Sequence, residues 1–133
     1  MRRKVREAKD GLPPNRKAKP MTNLEQLMAD MLDDLEIKWE REHPVKYMRG
    51  HWRWYDFYLI DYGILIEVDG AYWHGKVGKQ SYVTMMQKKN DYTKNFLAKL
   101  RGYDLIRVEE KKLLGDYDGV KESISIQVGK NNL

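Results

Sequence analysis

Trp52-Arg53-Trp54-Tyr55-Asp56-Phe57-Tyr58-Leu59-Ile60, then Asp61-Tyr62-Gly63, then Ile64-Leu65-Ile66-Glu67-Val68-Asp69-Gly70, is the stretch whose reading decides the fold. Aromatic and β-branched residues fill both flanks and Asp-Tyr-Gly supplies turn chemistry, so a β-hairpin is predicted. In its second strand Glu67 and Asp69 are two residues apart and share a face, while Ile64, Ile66 and Val68 point the other way. Pairing of the strands brings Asp56 toward that acidic face. Carboxylates gathered in a partly apolar setting repel one another and lose hydration, and a hard divalent cation relieves both costs. A cation there would bind a phosphate and activate water for in-line attack. Asp61, in the turn, reads as a plain solvated acid.

Upstream, Leu24, Leu27, Met28, Met31, Leu32 and Leu35 repeat with helical spacing and predict an amphipathic helix over 22–36, opened by the capping-box sequence Thr22-Asn23-Leu24-Glu25. A short strand is expected over 37–41, ending before Pro44. Downstream, Gly70, Gly75 and Gly78 mark a loop. A second helix over 84–100 follows, with an apolar face of Tyr92, Phe96, Leu97 and Leu100, and Arg101-Gly102 ends it. Residues 103–108 read as one more strand, parallel to a hairpin strand because a helical crossover precedes it. The expectation is an α/β protein with a mixed sheet in the order α-β-β-β-α-β. Val120, Ile124 and Val128 suggest a closing helix over 116–128.

The 133 residues suffice for one domain with a core of moderate size. The absence of cysteine excludes a disulfide framework and a thiolate zinc site. No stretch approaches the roughly 18 apolar residues of a membrane span, so no membrane partner is expected. The net charge of +5 and the pI near 9.3 point to a polyanion, with nucleic acid first. Much of that charge lies in residues 1–20, where Arg2, Arg3, Lys4, Arg6, Lys9, Arg16, Lys17 and Lys19 face only Glu7 and Asp10. The segment reads as a flexible basic arm, either a solvated tail or a phosphate-contacting anchor.

Asp56-Phe57-Tyr58-Leu59, a turn, and Ile66-Glu67-Val68-Asp69-Gly70-Ala71-Tyr72-Trp73-His74 together resemble the hairpin core of PD-(D/E)XK superfamily nucleases built like the very-short-patch repair (Vsr) endonucleases, and are closest in pattern to the EDxHD homing endonucleases. The resemblance runs from Glu25 through Lys88-Lys89-Asn90-Asp91 to Gly102-Tyr103-Asp104-Leu105-Ile106-Arg107-Val108. It implies a PD-(D/E)XK restriction-endonuclease-like core over 21–133. Glu25, Asp56, His74 and Asp91 are similar to the lettered positions of the EDxHD pattern. The implied roles are Asp56 as metal ligand with the main-chain oxygen of Val68 and with Glu67 or Asp69, His74 as general base, and Asp91 as the group that orients His74 or a water. Two readings of Glu25 stand together, a catalytic acid and a capping-box residue.

The chain departs from the family in two places. Where the superfamily carries a lysine two residues after the strand acid, Asp69 stands here, leaving transition-state charge to a metal, His74, Lys76 or Lys79. The structural zinc of Vsr proteins has no cysteine to bind, so no zinc is expected and the cofactor implied is Mg²⁺ or Mn²⁺. Tyr72 and Trp73 correspond to the aromatic wedge that Vsr enzymes insert between base pairs, while Trp54 reads as core. Contact with double-stranded DNA is expected from Arg53, Lys76, Lys79, Lys88 and Lys89 besides the arm. The function expected is site-selective, homing-type hydrolysis of DNA in the cytoplasm, from a phage- or mobile-element-borne enzyme. The alternatives are a Vsr-like repair nickase, a junction resolvase, and a DNA-binding module with a decayed site.

Overall fold

The computed structural model describes residues 12–16, 19–70 and 82–131. Helix α1 (Asn23–Asp34) is followed by β1 (Trp39–Met48), β2 (His51–Leu59), β3 (Ile64–Asp69), helix α2 (Tyr82–Leu100), β4 (Asp104–Glu109), and two helices, α3 (Glu110–Gly115) and α4 (Tyr117–Asn131). The expected α-β-β-β-α-β order is present, and two helices follow where one was expected. The four strands form one sheet in the order β1-β2-β3-β4. β1, β2 and β3 pair antiparallel, while β4, reached through α2, pairs parallel to β3.

Thr22 caps α1 as its sequence foretells: its hydroxyl accepts from the Glu25 amide and the Glu25 carboxylate accepts from the Thr22 amide. The helix lays Met28, Met31 and Leu32 on one face of the sheet against Phe57, Leu59, Ile64, Ile66 and Val108, and Leu113 of α3 and Ile124 of α4 complete this cluster. The opposite face holds a smaller cluster of Val45, Tyr55, Leu65, Leu97 and Ala98 under α2. Leu65 lies between Ile64 and Ile66 in β3 yet belongs to the other cluster, so the sheet is a middle layer between helices.

β1 runs past residue 41 and through Pro44, which pairs with Trp54. As an edge strand it has a ladder on one side only, where proline is tolerated. The larger correction concerns α2. Of its expected apolar face only Leu97 is buried; Tyr92, Phe96 and Leu100 are 65%, 53% and 57% exposed. The covered stripe instead runs through Asn90, Asp91, Lys94, Leu97 and Ala98. Apolar content misleads here because the hairpin face that α2 covers is acidic, so its inward positions are polar where they meet carboxylates.

β2 has one irregularity that matters. Arg41 pairs with Phe57 and His43 with Tyr55, but Glu42 and Asp56 between them drop out of the ladder, and Glu42 has φ +53°. Phe57 packs with the α1 cluster and Tyr55, two residues away, with the α2 cluster. An even strand would put both on one face; the break in the ladder at Glu42 and Asp56 reverses the alternation while the register stays the same on either side.

Candidate active site

The β2–β3 ladder is paired through Phe57 and Ile66. Beyond that pair side chains take over: the Val68 amide donates to Asp56 Oδ2 at 2.7 Å and the Asp56 amide donates to Glu67 Oε1 at 2.9 Å. The two carboxylates are therefore fixed to each other's strands. Glu67 is 7% exposed. Burial, and next the Glu67 charge, push the Asp56 carboxyl up to about 7 against the opposing pull of the Val68 amide and Lys94. The Glu67 charge makes Asp56 harder to ionise, the condition a bound cation relieves.

Lys94 enters this pair from α2. Its ammonium lies 3.0 Å from Glu67 Oε2 and 5.2 Å from the centre of the Tyr55 ring. The Tyr55 hydroxyl donates to the Lys94 main-chain oxygen at 2.8 Å.

A second charged group lies beside the first. Arg107, which pairs with Glu67 across β3 and β4, reaches Asp69 Oδ1 at 3.1 Å, Asn95 Oδ1 at 2.8 Å and the Asp91 main-chain oxygen at 3.2 Å. The Asp91 carboxylate is 3.7 Å away. Burial raises the Asp69 carboxyl, and Arg107 opposes that rise.

The acids singled out in the sequence thus divide into two groups. Asp56 and Glu67 meet directly; Asp69 and Asp91 meet through Arg107. Glu25 closes its capping box and also lies 3.4 Å from Arg41. Its charge is a minor contribution to the rise at Asp56, so its helix-capping role does not separate it from the site. His74, Tyr72, Trp73, Lys76 and Lys79, together with Arg2, Arg3, Lys4 and Lys17, lie outside the described residues. Arg16 is paired with Glu42 at 3.3 Å and stacks 4.6 Å above Trp54, which is half-buried and not core. Lys19 joins the same edge through its main chain, donating to Glu42 and accepting from Arg41. Arg53 lies over the Tyr47 ring, and Lys88 and Lys89 are exposed on α2.

Sequence reasoning passed over Lys94 and Arg107 as site residues. Lys94 follows Asp91 by three residues on a helix, and Arg107 alternates with Ile106 and Val108 in a strand, so both spacings carried the signal.

Among the described residues no three histidine or acidic side chains converge as a ready-made metal cage. The Asp56–Glu67 pair is still a fitting donor set for Mg²⁺, which commonly takes one or two protein carboxylates and fills the rest of its shell with water and substrate phosphate.

This architecture, a mixed four-stranded sheet between helices, matches the fold of a homing endonuclease catalytic domain. The solved catalytic domain of the homing endonuclease I-Bth0305I matches with a TM-score of 0.55 and 26% identity, over 84% of this chain and 98% of that one. No protein-family model matches the chain, and no curated protein matches it.

Proposed function

We propose that the protein is a metal-dependent DNA endonuclease of the PD-(D/E)XK, Vsr-like type, hydrolysing phosphodiester bonds in double-stranded DNA as homing enzymes do. The observation that carries this reading is the Asp56–Glu67 pair, a half-buried and a buried carboxylate joined at a strand distortion, with Asp56 held at a raised pKa. The likeness to a homing endonuclease catalytic domain supports it.

Asp56 and Glu67, with the main-chain oxygen of Val68, would hold Mg²⁺ or Mn²⁺, which would polarise the scissile phosphate and favour deprotonation of the attacking water. The residues around them have separate tasks. His74 takes the proton from that water as general base. Asp91, tied down by Arg107, orients His74 or a water. Asp69, two residues along β3 from Glu67, is held by Arg107 at 3.1 Å. Arg53, Lys88 and Lys89 supply phosphate contacts around the face, and the basic arm adds long-range attraction.

The test is incubation of the purified chain with a randomised duplex library in Mg²⁺, followed by sequencing of the ends. Cuts clustered at a recurring sequence, absent in chelator and in Asp56→Asn, are expected. DNA binding without any Mg²⁺-dependent cutting at high protein concentration would replace the proposal with a DNA-binding module.

A further inference from the structure

Glu67 is the buried carboxylate of the pair, and the protein keeps it paired before any divalent cation need be present. The Lys94 side chain is 12% exposed and that of Glu67 9% exposed, and they meet at 3.0 Å. Beneath the ammonium lies the Tyr55 ring, and the Tyr55 hydroxyl pins the Lys94 main chain. The backbone is thus fixed while the four-carbon stem is free to carry the charge elsewhere.

We infer that Lys94 is the built-in counter-ion of this site: it pairs with Glu67 and aligns it in the absence of metal, and it gives up that carboxylate when a divalent cation binds. The inference rests on the reading of Asp56 and Glu67 as a cation centre. It follows from charge and geometry. A buried carboxylate without a counter-charge is strongly unfavourable, and Glu67 already directs Oε1 to the Asp56 amide and Oε2 to Lys94. Each of these oxygens keeps a second lone pair, but a divalent cation held there repels the ammonium 3.0 Å from Oε2, and Lys94 is the partner on a mobile stem. Competition between the two cations weakens metal binding in the absence of DNA. A bound phosphate would give the displaced ammonium a new partner, so metal and DNA would bind cooperatively.

The experiment is calorimetric titration of Mn²⁺ alone into the full chain without DNA. Lys94→Met, which keeps the stem and removes the charge, is expected to bind Mn²⁺ roughly five- to a hundredfold more tightly than wild type, the range typical of coupled sites. Lys94→Arg should stay near wild type, and adding Asp56→Asn to Lys94→Met should abolish the binding. Equal affinities in wild type and Lys94→Met overturn the role of Lys94 and leave the metal centre standing. Absence of saturable binding in both overturns the centre as a DNA-free cation site and this inference with it. A second measurement needs no variant: amine-reactive labelling of the wild-type chain read by mass spectrometry. Labelling of Lys94 should rise severalfold with Mn²⁺ while that of the exposed Lys88 stays constant. Unchanged labelling of Lys94 at saturating Mn²⁺ overturns the exchange.

Discussion

The Val68 amide donates to Asp56 Oδ2 at 2.7 Å, so a side-chain carboxylate occupies the place in the β2–β3 ladder where a main-chain carbonyl would sit. One face of the hairpin ends in regular pairing and the next residue begins the site. Because Asp56 also donates its amide to Glu67, the two acids are oriented by the sheet itself, without a loop to position them.

Replacing Asp56 with Asn keeps an oxygen able to accept from Val68 and removes the charge that a cation needs. Asp56→Asn should fold, bind DNA with near wild-type affinity and lose Mg²⁺-dependent cleavage. A nicking assay on supercoiled plasmid reads this directly, and near wild-type cutting by the pure variant would show that the centre lies elsewhere.

The pH dependence of stability should carry the signature of the same carboxyl. The folded value of Asp56 is about 7 against an ordinary 3.8 for an aspartate, so between these values the folded state holds a proton that the unfolded state has released. Its contribution is fully present below pH 3.8 and is lost as pH rises toward 7, at up to about 1.4 kcal/mol for each pH unit in that window. In chelator, denaturant melts from about pH 4 to 8 should show wild type losing stability relative to Asp56→Asn. Parallel profiles for the two proteins would refute the raised value.

His74 is the proposed base, and its variant has a distinct expectation. His74→Ala should lose activity by ~10²-fold or more with little change in Mn²⁺ affinity. The wild-type rate should rise with pH through the neutral range and the variant rate should not. Superimposable pH–rate profiles would remove the histidine from the chemistry.

Helix α2 offers a stability contrast opposite to its apolar pattern. Leu97 is fully buried and Phe96 is 53% exposed. Leu97→Ala should cost about 2–5 kcal/mol, while Phe96→Ser should stay within roughly 0.5 kcal/mol of wild type. Urea melts decide it; a severe loss in Phe96→Ser would mean that this face is covered.

Truncations can divide the basic arm from its root. Deleting residues 1–11 should leave stability unchanged, weaken DNA binding and lower the log–log salt slope by roughly 0.9 for each phosphate that the arm had neutralised. Deleting residues 1–19 should in addition lower the melting temperature slightly, because it removes Arg16 from Glu42 and Trp54 and Lys19 from Arg41. An unchanged salt slope in both truncations would make the arm a solvated tail.

Local pattern alone determined much of this protein. The hairpin, the capped helix α1, the order of elements and the shared face of Glu67 and Asp69 all follow from periodicity and turn chemistry within a few residues of chain. Tertiary structure decided what depends on distant segments. Only packing shows that Asp56 meets Glu67 while Asp69 and Asp91 meet Arg107, since a strand pattern fixes faces and not the register at a distortion. The buried stripe of α2 was illegible for the same reason: the face it covers is made by other strands, and their acids call for Lys94 where a core helix would carry leucine. Arg107 and Lys94 became site residues when β4 and α2 were laid beside β3, a placement set by the parallel crossover and by no residue near them in sequence.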